Sequence, residues 1–350
     1  MLRLNRKEAG VRARRPILLV AGALLALPVW LAAQQTRPAQ QAPAPAAPGT
    51  PPLEKKGGEY KINVDVNLVV LHATVLDKRD RVVNDLKEDD FKVYEDGVPQ
   101  KLAVFSHADV PVTMGIVIDD SGSMREKRAS VNAAALAFVK TSNPQDQVFV
   151  VNFNDVYYLD TPGDFAAGIE DLRSALEKID SRGGTALYDA VYASLDHLKL
   201  GNRDKKVILV VTDGEDNASR YTFPELIAHA QKSNATIYTI GLLGGEEHSG
   251  LFKLHGGDAA KKLKQMAEVT GGQAFLPRTL DEVESTCVGI AHDIRNQYTL
   301  AYYPSNIKKD GSYRAVKVEA SPAKHGRLTV RTRTGYFAPK DQAAAVTSGQ

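Results

Sequence analysis

Between residues 111 and 296 the chain repeats one unit: a short apolar run, then a segment with helical period. Met114-Gly115-Ile116-Val117-Ile118, Val148-Phe149-Val150-Val151, Val207-Ile208-Leu209-Val210-Val211 and Ile237-Tyr238-Thr239-Ile240 have almost no polar face. A strand that is apolar on both sides must be covered on both sides, which suits a parallel sheet packed between helices. The intervening segments, at 126–141, 166–179, 186–198, 223–233, 259–270 and 280–296, carry apolar residues at helical spacing. Gly271-Gly272 is placed to stop the fifth of them. This alternation predicts the α/β class with a doubly wound, mostly parallel sheet. In such a sheet, ligands sit beyond the carboxyl ends of the strands.

Those ends carry an unusual set of side chains. The first apolar run leads into Asp119-Asp120-Ser121-Gly122-Ser123-Met124, and the third into Thr212-Asp213-Gly214-Glu215-Asp216. Between them, Gly183-Gly184-Thr185 is a glycine turn entering a helix. The three segments offer carboxylates and hydroxyls, with no imidazole or thiol. Hard divalent cations take oxygen ligands, and Mg2+ takes six in near-octahedral geometry. Asp119, Ser121 and Ser123 alternate along a tight loop, so their oxygens can turn to one centre. A helix cap would explain one of these residues, not three together with Thr185 and Asp213.

At these residues the chain resembles the von Willebrand factor A-type (VWA) domains that carry a metal-ion-dependent adhesion site. That motif is Asp-x-Ser-x-Ser, a separate Thr and a separate Asp; Asp119, Ser121, Ser123, Thr185 and Asp213 match it position by position. The resemblance implies that the two serines and the threonine bind Mg2+ (or Mn2+ or Ca2+). It implies that Asp119 binds directly or through water and that Asp213 is water-bridged. It also implies capture of a protein partner's acidic side chain, and a last helix (280–296) that shifts on ligation and relays the change to the strands after it. Tyr94-Glu95-Asp96-Gly97 and Arg333-Thr334-Gly335-Tyr336-Phe337 extend the likeness to exported bacterial VWA-related proteins with strand-rich flanks.

Other polar residues near the motif receive plainer readings. Asp120, Glu215 and Asp216 are expected as solvated rim charges, and Asp189 as a hydrogen-bonding residue one turn into its helix. Cys287 reads as a small buried hydrophobe. His248 and His255 fall in a glycine-rich insertion, 243–258, expected to be a loop. Tyr298, Tyr302, Tyr303, Tyr336 and Phe337 read as core and surface of a β-unit rather than a nucleic-acid stacking platform.

The flanks change period. Residues 59–110 and 297–340 alternate apolar and polar positions, which predicts strands, and together they suggest a small β-sandwich built from both ends of the chain. Glu95-Asp96-Gly97 between residues 91–94 and 101–105 is a hairpin signal. Residues 34–58 are rich in Pro, Ala and Gln, as in an extended linker, and 341–350 read as a tail. Residues 1–15 hold six basic side chains against Glu8, and 16–33 are uncharged. That pattern predicts an export signal, or a membrane tether through residues 16–33, and hence a periplasmic or secreted site. The chain has 44 basic and 42 acidic residues, so the part after residue 33 is net −3. No basic body is left to bind nucleic acid. A lone cysteine excludes an intrachain disulfide and a Cys-based zinc cluster.

The expected function is therefore an exported, metal-dependent protein-binding module and not an enzyme. The rivals are a metal-dependent hydrolase using the same cluster, and a scaffold whose metal only stabilises the fold.

Overall fold

The structure, a computed structural model, describes residues 54–56, 59–61, 68–141, 143–214, 216–243, 252–322 and 324–340. The expected export segment at 1–33, most of the linker and the tail lie outside them. No described helix is long and apolar enough to cross a membrane. The chain divides into two units, residues 1–64 and 65–350. In the first, β1 (Glu54–Lys56) and β2 (Glu59–Lys61) pair antiparallel.

In the second unit the flanking strands come first: β3 (Val69–Leu76), β4 (Phe91–Glu95), β5 (Val98–Gln100) and β6 (Leu102–Ser106). The α/β region then runs β7 (Val112–Asp119), α1 (Arg128–Lys140), β8 (Gln147–Phe153), β9 (Tyr157–Leu159), α2 (Ile169–Leu176) and α3 (Leu187–His197). It continues through β10 (Lys205–Thr212), α4 (Phe223–Lys232), β11 (Ala235–Gly241), α5 (Phe252–Glu268), β12 (Ala274–Phe275) and α6 (Asp281–Arg295). The chain returns to the flank with β13 (Tyr298–Tyr302), β14 (Tyr313–Ala320), β15 (Thr329–Arg331) and β16 (Gly335–Phe337).

The central sheet has the order β12-β11-β10-β7-β8-β9. All neighbours are parallel except β9, which runs antiparallel on the edge. The chain goes from β7 to β8 on one side and returns to β10 on the other, so the order reverses at β7. That switch point leaves a crevice where β7 and β10 end. One face of the sheet packs Met114, Ile116, Val150 and Leu209 against α1, α2 and α6; the other packs Val117, Phe149, Ile208 and Val210 against α3, α4 and α5. This is the doubly wound α/β fold expected. The helices start where local chemistry favours it. Thr222 and Glu225 form a reciprocal capping box at α4, with Pro224 in the first turn, and Asp281, Glu282 and Glu284 line the first turn of α6.

The flanks form two four-stranded sheets, β15-β3-β13-β6 and β16-β14-β4-β5, that share one core of Leu71, Phe91, Val93, Tyr298, Leu300, Tyr302 and Val318. Both sheets combine strands from either end of the chain. The two flank motifs meet inside it: Glu95 Oε2 accepts the hydroxyls of Tyr302 and Tyr336, both at 2.8 Å, and Oε1 pairs with Arg314 at 3.3 Å. Tyr303 is exposed, whereas Tyr298, Tyr302 and Tyr336 are buried.

Two local expectations are corrected. The Asp96-Gly97 turn, with φ +48° and +80°, joins β4 to β5, not to the run at 101–105. That run becomes β6 and pairs with β13 in the other sheet, because a two-residue turn closes on the residues immediately beside it. The expected loop at 243–258 is helical from Phe252, and Gly256-Gly257 are accommodated because Ala259, Leu263 and Met266 of the same helix are buried against the sheet. The short strands β9 and β12 carry no periodic signal.

Candidate metal-binding rim

Asp119 ends β7 with its carboxylate fully buried. Oδ1 accepts the Ser121 amide at 2.8 Å and Oδ2 accepts the Thr212 hydroxyl at 2.6 Å, which ties the end of β7 to the end of β10. Burial pushes this carboxyl above its usual range, opposed by the hydrogen bonds from Ser121 and Thr212. The Ser121 and Ser123 hydroxyls lie 3.1 Å apart, and Ser123 donates to Asp213 Oδ1 at 2.8 Å. Ser121 is buried and Ser123 exposed, so the cluster opens to solvent at Ser123.

Thr185 arrives from the turn before α3. Gly183 has φ +72°, and a Cβ there would lie 1.9 Å from an Asp155 oxygen, so only glycine fits. Asp155 holds the turn by accepting the Gly184 amide at 2.7 Å. Thr185 is buried, and its hydroxyl sits 3.9 Å from where a Cβ on Gly214 would be. Asn217 Oδ1 takes the Thr185 amide at 2.8 Å, and the Thr185 carbonyl accepts the Asn217 amide at 3.0 Å. Hydrogen bonds thus join Asp119, Ser121, Ser123 and Asp213 in one chain, and the Thr185 hydroxyl lies beside Gly214, the residue after Asp213.

Two rim expectations change. Asp120 is not a solvated charge. It points away from Asp119 into the fold, where it accepts the Asp180 amide at 2.6 Å and the Ser181 hydroxyl at 3.0 Å, and pairs with buried Arg128 at 3.4 Å. Successive residues leaving a strand point to opposite sides, which separates Asp119 from Asp120. Asp216 is also engaged. Its Oδ2 accepts the Tyr188 amide at 2.9 Å in the first turn of α3, where the helix dipole favours an anion. Glu215 lies outside the described residues. Asp189 hydrogen-bonds as expected, accepting the amides of Arg220 and Tyr221 at 3.0 and 2.9 Å.

One participant escapes sequence reasoning. The Lys127 ammonium pairs with Asp213 Oδ2, and the Asp213 side chain is only 1 % exposed. Its position four residues after Ser123 is the available hint, since that spacing turns one helical step toward the same end of the sheet. Cys287 is buried, and burial pushes its thiol up to about 12, as expected of a packing residue. His248 is outside the described residues.

The donor set fits a hard cation. At metal–oxygen distances of about 2.1 Å, neighbouring octahedral ligands are about 3 Å apart. The Ser121 and Ser123 hydroxyls, 3.1 Å apart in the hydrogen bond they make, are spaced as two neighbouring positions would be, with Asp213 bonded behind Ser123. Among the described residues no group of three or more His, Cys, Asp or Glu could hold a metal, so any ion here rests on hydroxyls.

The chain is similar to several known proteins. An uncharacterized protein of Borreliella burgdorferi is 27 % identical over 141 residues, 40 % of this chain and 39 % of the relative's own length. Of solved structures, a von Willebrand factor type A protein from Catenulispora acidiphila aligns with TM-score 0.46 and 14 % identity, over 79 % of this chain and 74 % of that one. The vWF domain of the type V pili tip protein Mfa5 from Porphyromonas gingivalis aligns with TM-score 0.43 and 14 % identity, over 54 % and 96 %. The PilB minor pilin of Streptococcus sanguinis gives 0.41 and 13 %, over 55 % and 62 %. Residues 114–215, which contain Asp119, Ser121, Ser123, Thr185 and Asp213, match the family model for the von Willebrand factor type A domain.

Proposed function

We propose that the rim at Asp119, Ser121, Ser123, Thr185 and Asp213 is a divalent-cation site through which the protein, outside the cytoplasm, binds an acidic group of a protein partner. The observation that carries this reading is the hydroxyl pair Ser121 and Ser123, 3.1 Å apart, hydrogen-bonded to Asp213 and open to solvent on one side. Bound Mg2+ (or Mn2+ or Ca2+) would supply positive charge and an exchangeable position suited to a carboxylate. The chain's own residues hold the oxygens ready. Asp119 orients Ser121 and Thr212, Ser123 faces solvent, and the glycine turn at 183–184 brings Thr185 to the cluster.

The same arrangement argues against hydrolysis. A metal hydrolase needs a general base, or a metal-bound hydroxide with residues placed to support it. Both Asp119 oxygens are occupied by Ser121 and Thr212, and both Asp213 oxygens by Ser123 and Lys127. No histidine lies in the three loops. A purely stabilising metal is the remaining rival. The basic, then apolar, first 33 residues support placing the protein outside the cytoplasm.

Isothermal titration of the full chain with MgCl2 tests the site. Wild type should bind, and the Asp119→Ala, Ser121→Ala double variant should lose more than the roughly 10–100-fold that changes around a metal's ligands cost. Equal binding by the variant would sink the assignment. A glutamate-rich peptide should be retained by the immobilised chain in Mg2+ and released by chelator; retention indifferent to chelator would leave only the stabilising role.

A further inference from the structure

At the opposite end of the central sheet, a cavity of about 790 Å3 lies between the amino-terminal edge of β10 and β11 and the face of the β15-β3-β13-β6 sheet that does not contribute to the sandwich core. Its walls are of two kinds. Val70 and Val104, 40 % and 43 % exposed, give one apolar wall on that sheet. Arg203, Lys205, Lys232, Arg333 and His72 also line it, against a single carboxylate, Asp204.

Of these, Lys205 is buried, Arg203 and Arg333 are half-buried and Lys232 is exposed, and their pairing differs from that of the protein's other inward-facing cations. Arg128 pairs with Asp120, Arg295 with Asp109 and Asp146, Arg314 with Glu95, and Arg331 with Asp293. Among the described residues, none of Arg203, Lys205, Lys232 and Arg333 has a carboxylate within 4.0 Å. The Arg333 guanidinium is held by neutral oxygens only: Gly335 O, Asn234 Oδ1 and Gln231 O, each at 2.9 Å. Lys205 donates to the Ile294 carbonyl and is 4 % exposed. His72 Nδ1 contacts the Thr299 hydroxyl at 3.3 Å, and Nε2 has no hydrogen-bond partner among the described residues. Carbonyls at the ends of α4 and α6 offset part of a unit charge, and a buried cation without an anion remains costly.

We propose that this cleft binds a small amphiphilic anion, with a carboxylate or phosphate head between Arg333, Lys205 and His72 and an apolar body along Val70 and Val104. The volume is in the range of small-molecule sites, and the open cleft combines an apolar wall with a few convergent polar groups. Burial, Lys205 and Arg333 push His72 down to about 3, which agrees with a positive, dehydrated surrounding. The site is independent of the cation rim, so either can fail without the other.

Thermal melting and isothermal titration of the full chain with decanoate and decyl phosphate test it, with decanol and inorganic phosphate as controls. At least one amphiphilic anion should bind and raise the melting temperature, and the tighter one assigns the head. Arg333→Gln should weaken it about tenfold or more. Because Arg333 also anchors Gln231 and Asn234, two further variants guard against misfolding. Lys205→Met removes charge without removing bulk, and Val70→Trp fills the apolar wall; both should weaken binding in a chain that still melts cooperatively. Decanol matching decanoate overturns recognition of the anion, and inorganic phosphate matching decyl phosphate overturns the apolar body. Absence of binding by both amphiphiles, or binding unchanged in all three variants, overturns the site.

Discussion

Where β7 and β10 end, the sheet presents Asp119, Ser121, Ser123 and Asp213; where β10 begins, it presents Lys205 beside Arg333 and His72. The two edges of one sheet are thus of opposite charge, and the reason lies in the direction of the chain. In a parallel sheet every covering helix starts at the carboxyl edge and ends at the amino edge. Helix amino termini attract carboxylates, as Asp216 shows at α3, and helix carboxyl termini attract cations, as Gln231 and Ile294 show by accepting Arg333 and Lys205. What differs is neutralisation: at the acidic edge Lys127 and Arg128 cover Asp213 and Asp120, whereas at the basic edge Asp109 and Asp146 pair with Arg295, and Lys205 and Arg333 have no carboxylate within 4.0 Å among the described residues.

The largest test of this contrast is Asp120→Ala. If Asp120 is a structural counter-charge, Arg128 is left buried without one, and urea denaturation should show a loss of about 3–5 kcal/mol. A loss below about 1 kcal/mol would return Asp120 to the solvated rim.

At the basic edge, the effect should appear as a pH dependence. Burial, helped by Arg295 and opposed by Asp109, Asp293 and Asp146, depresses Lys205 from its ordinary 10.5 to about 7. The native state releases this proton above pH 7 while the unfolded chain keeps it to about 10.5, so the unfolded state binds more protons in that window. Stability should therefore rise with pH between about 7 and 10.5, and below 7 the full cost of the buried charge is present. Lys205→Met should remove that part of the rise, about 4 kcal/mol between about pH 6 and 10. Parallel stability curves for wild type and variant would show that Lys205 is not a costly buried charge.

The smallest expected effect is at the other edge. If the rim takes a divalent cation as proposed, Lys127, paired with Asp213, would compete with it, and Lys127→Met should tighten Mg2+ about tenfold in a titration, about 1.4 kcal/mol. Weaker binding by the variant would mean that Lys127 helps build the site.

Much of this architecture is legible in the amino-acid order. The doubly wound sheet follows from runs such as 207–211 and 114–118, because a strand with no polar side can exist only between two covering layers. The rim is legible because Asp119, Ser121 and Ser123 are neighbours in the chain and Thr185 and Asp213 sit at turns after recognisable elements. Asp120 departs from its expected place because adjacency in sequence says nothing about which side of the strand end a residue takes. The Lys127–Asp213 pair spans 86 positions, and the Glu95–Tyr336 bond spans 241; no periodic pattern reports either.

The amino-acid order alone determined the elements, their alternation and the oxygen-rich loops at one edge, because these depend on local period and on residues close in the chain. Tertiary structure alone decided which charges neutralise each other, and which strand crosses to the second flanking sheet. It also decided that Lys205, Arg333 and His72, far apart in sequence, face one cavity. Those outcomes depend on burial and long-range proximity, which arise only when distant segments of the chain close on each other.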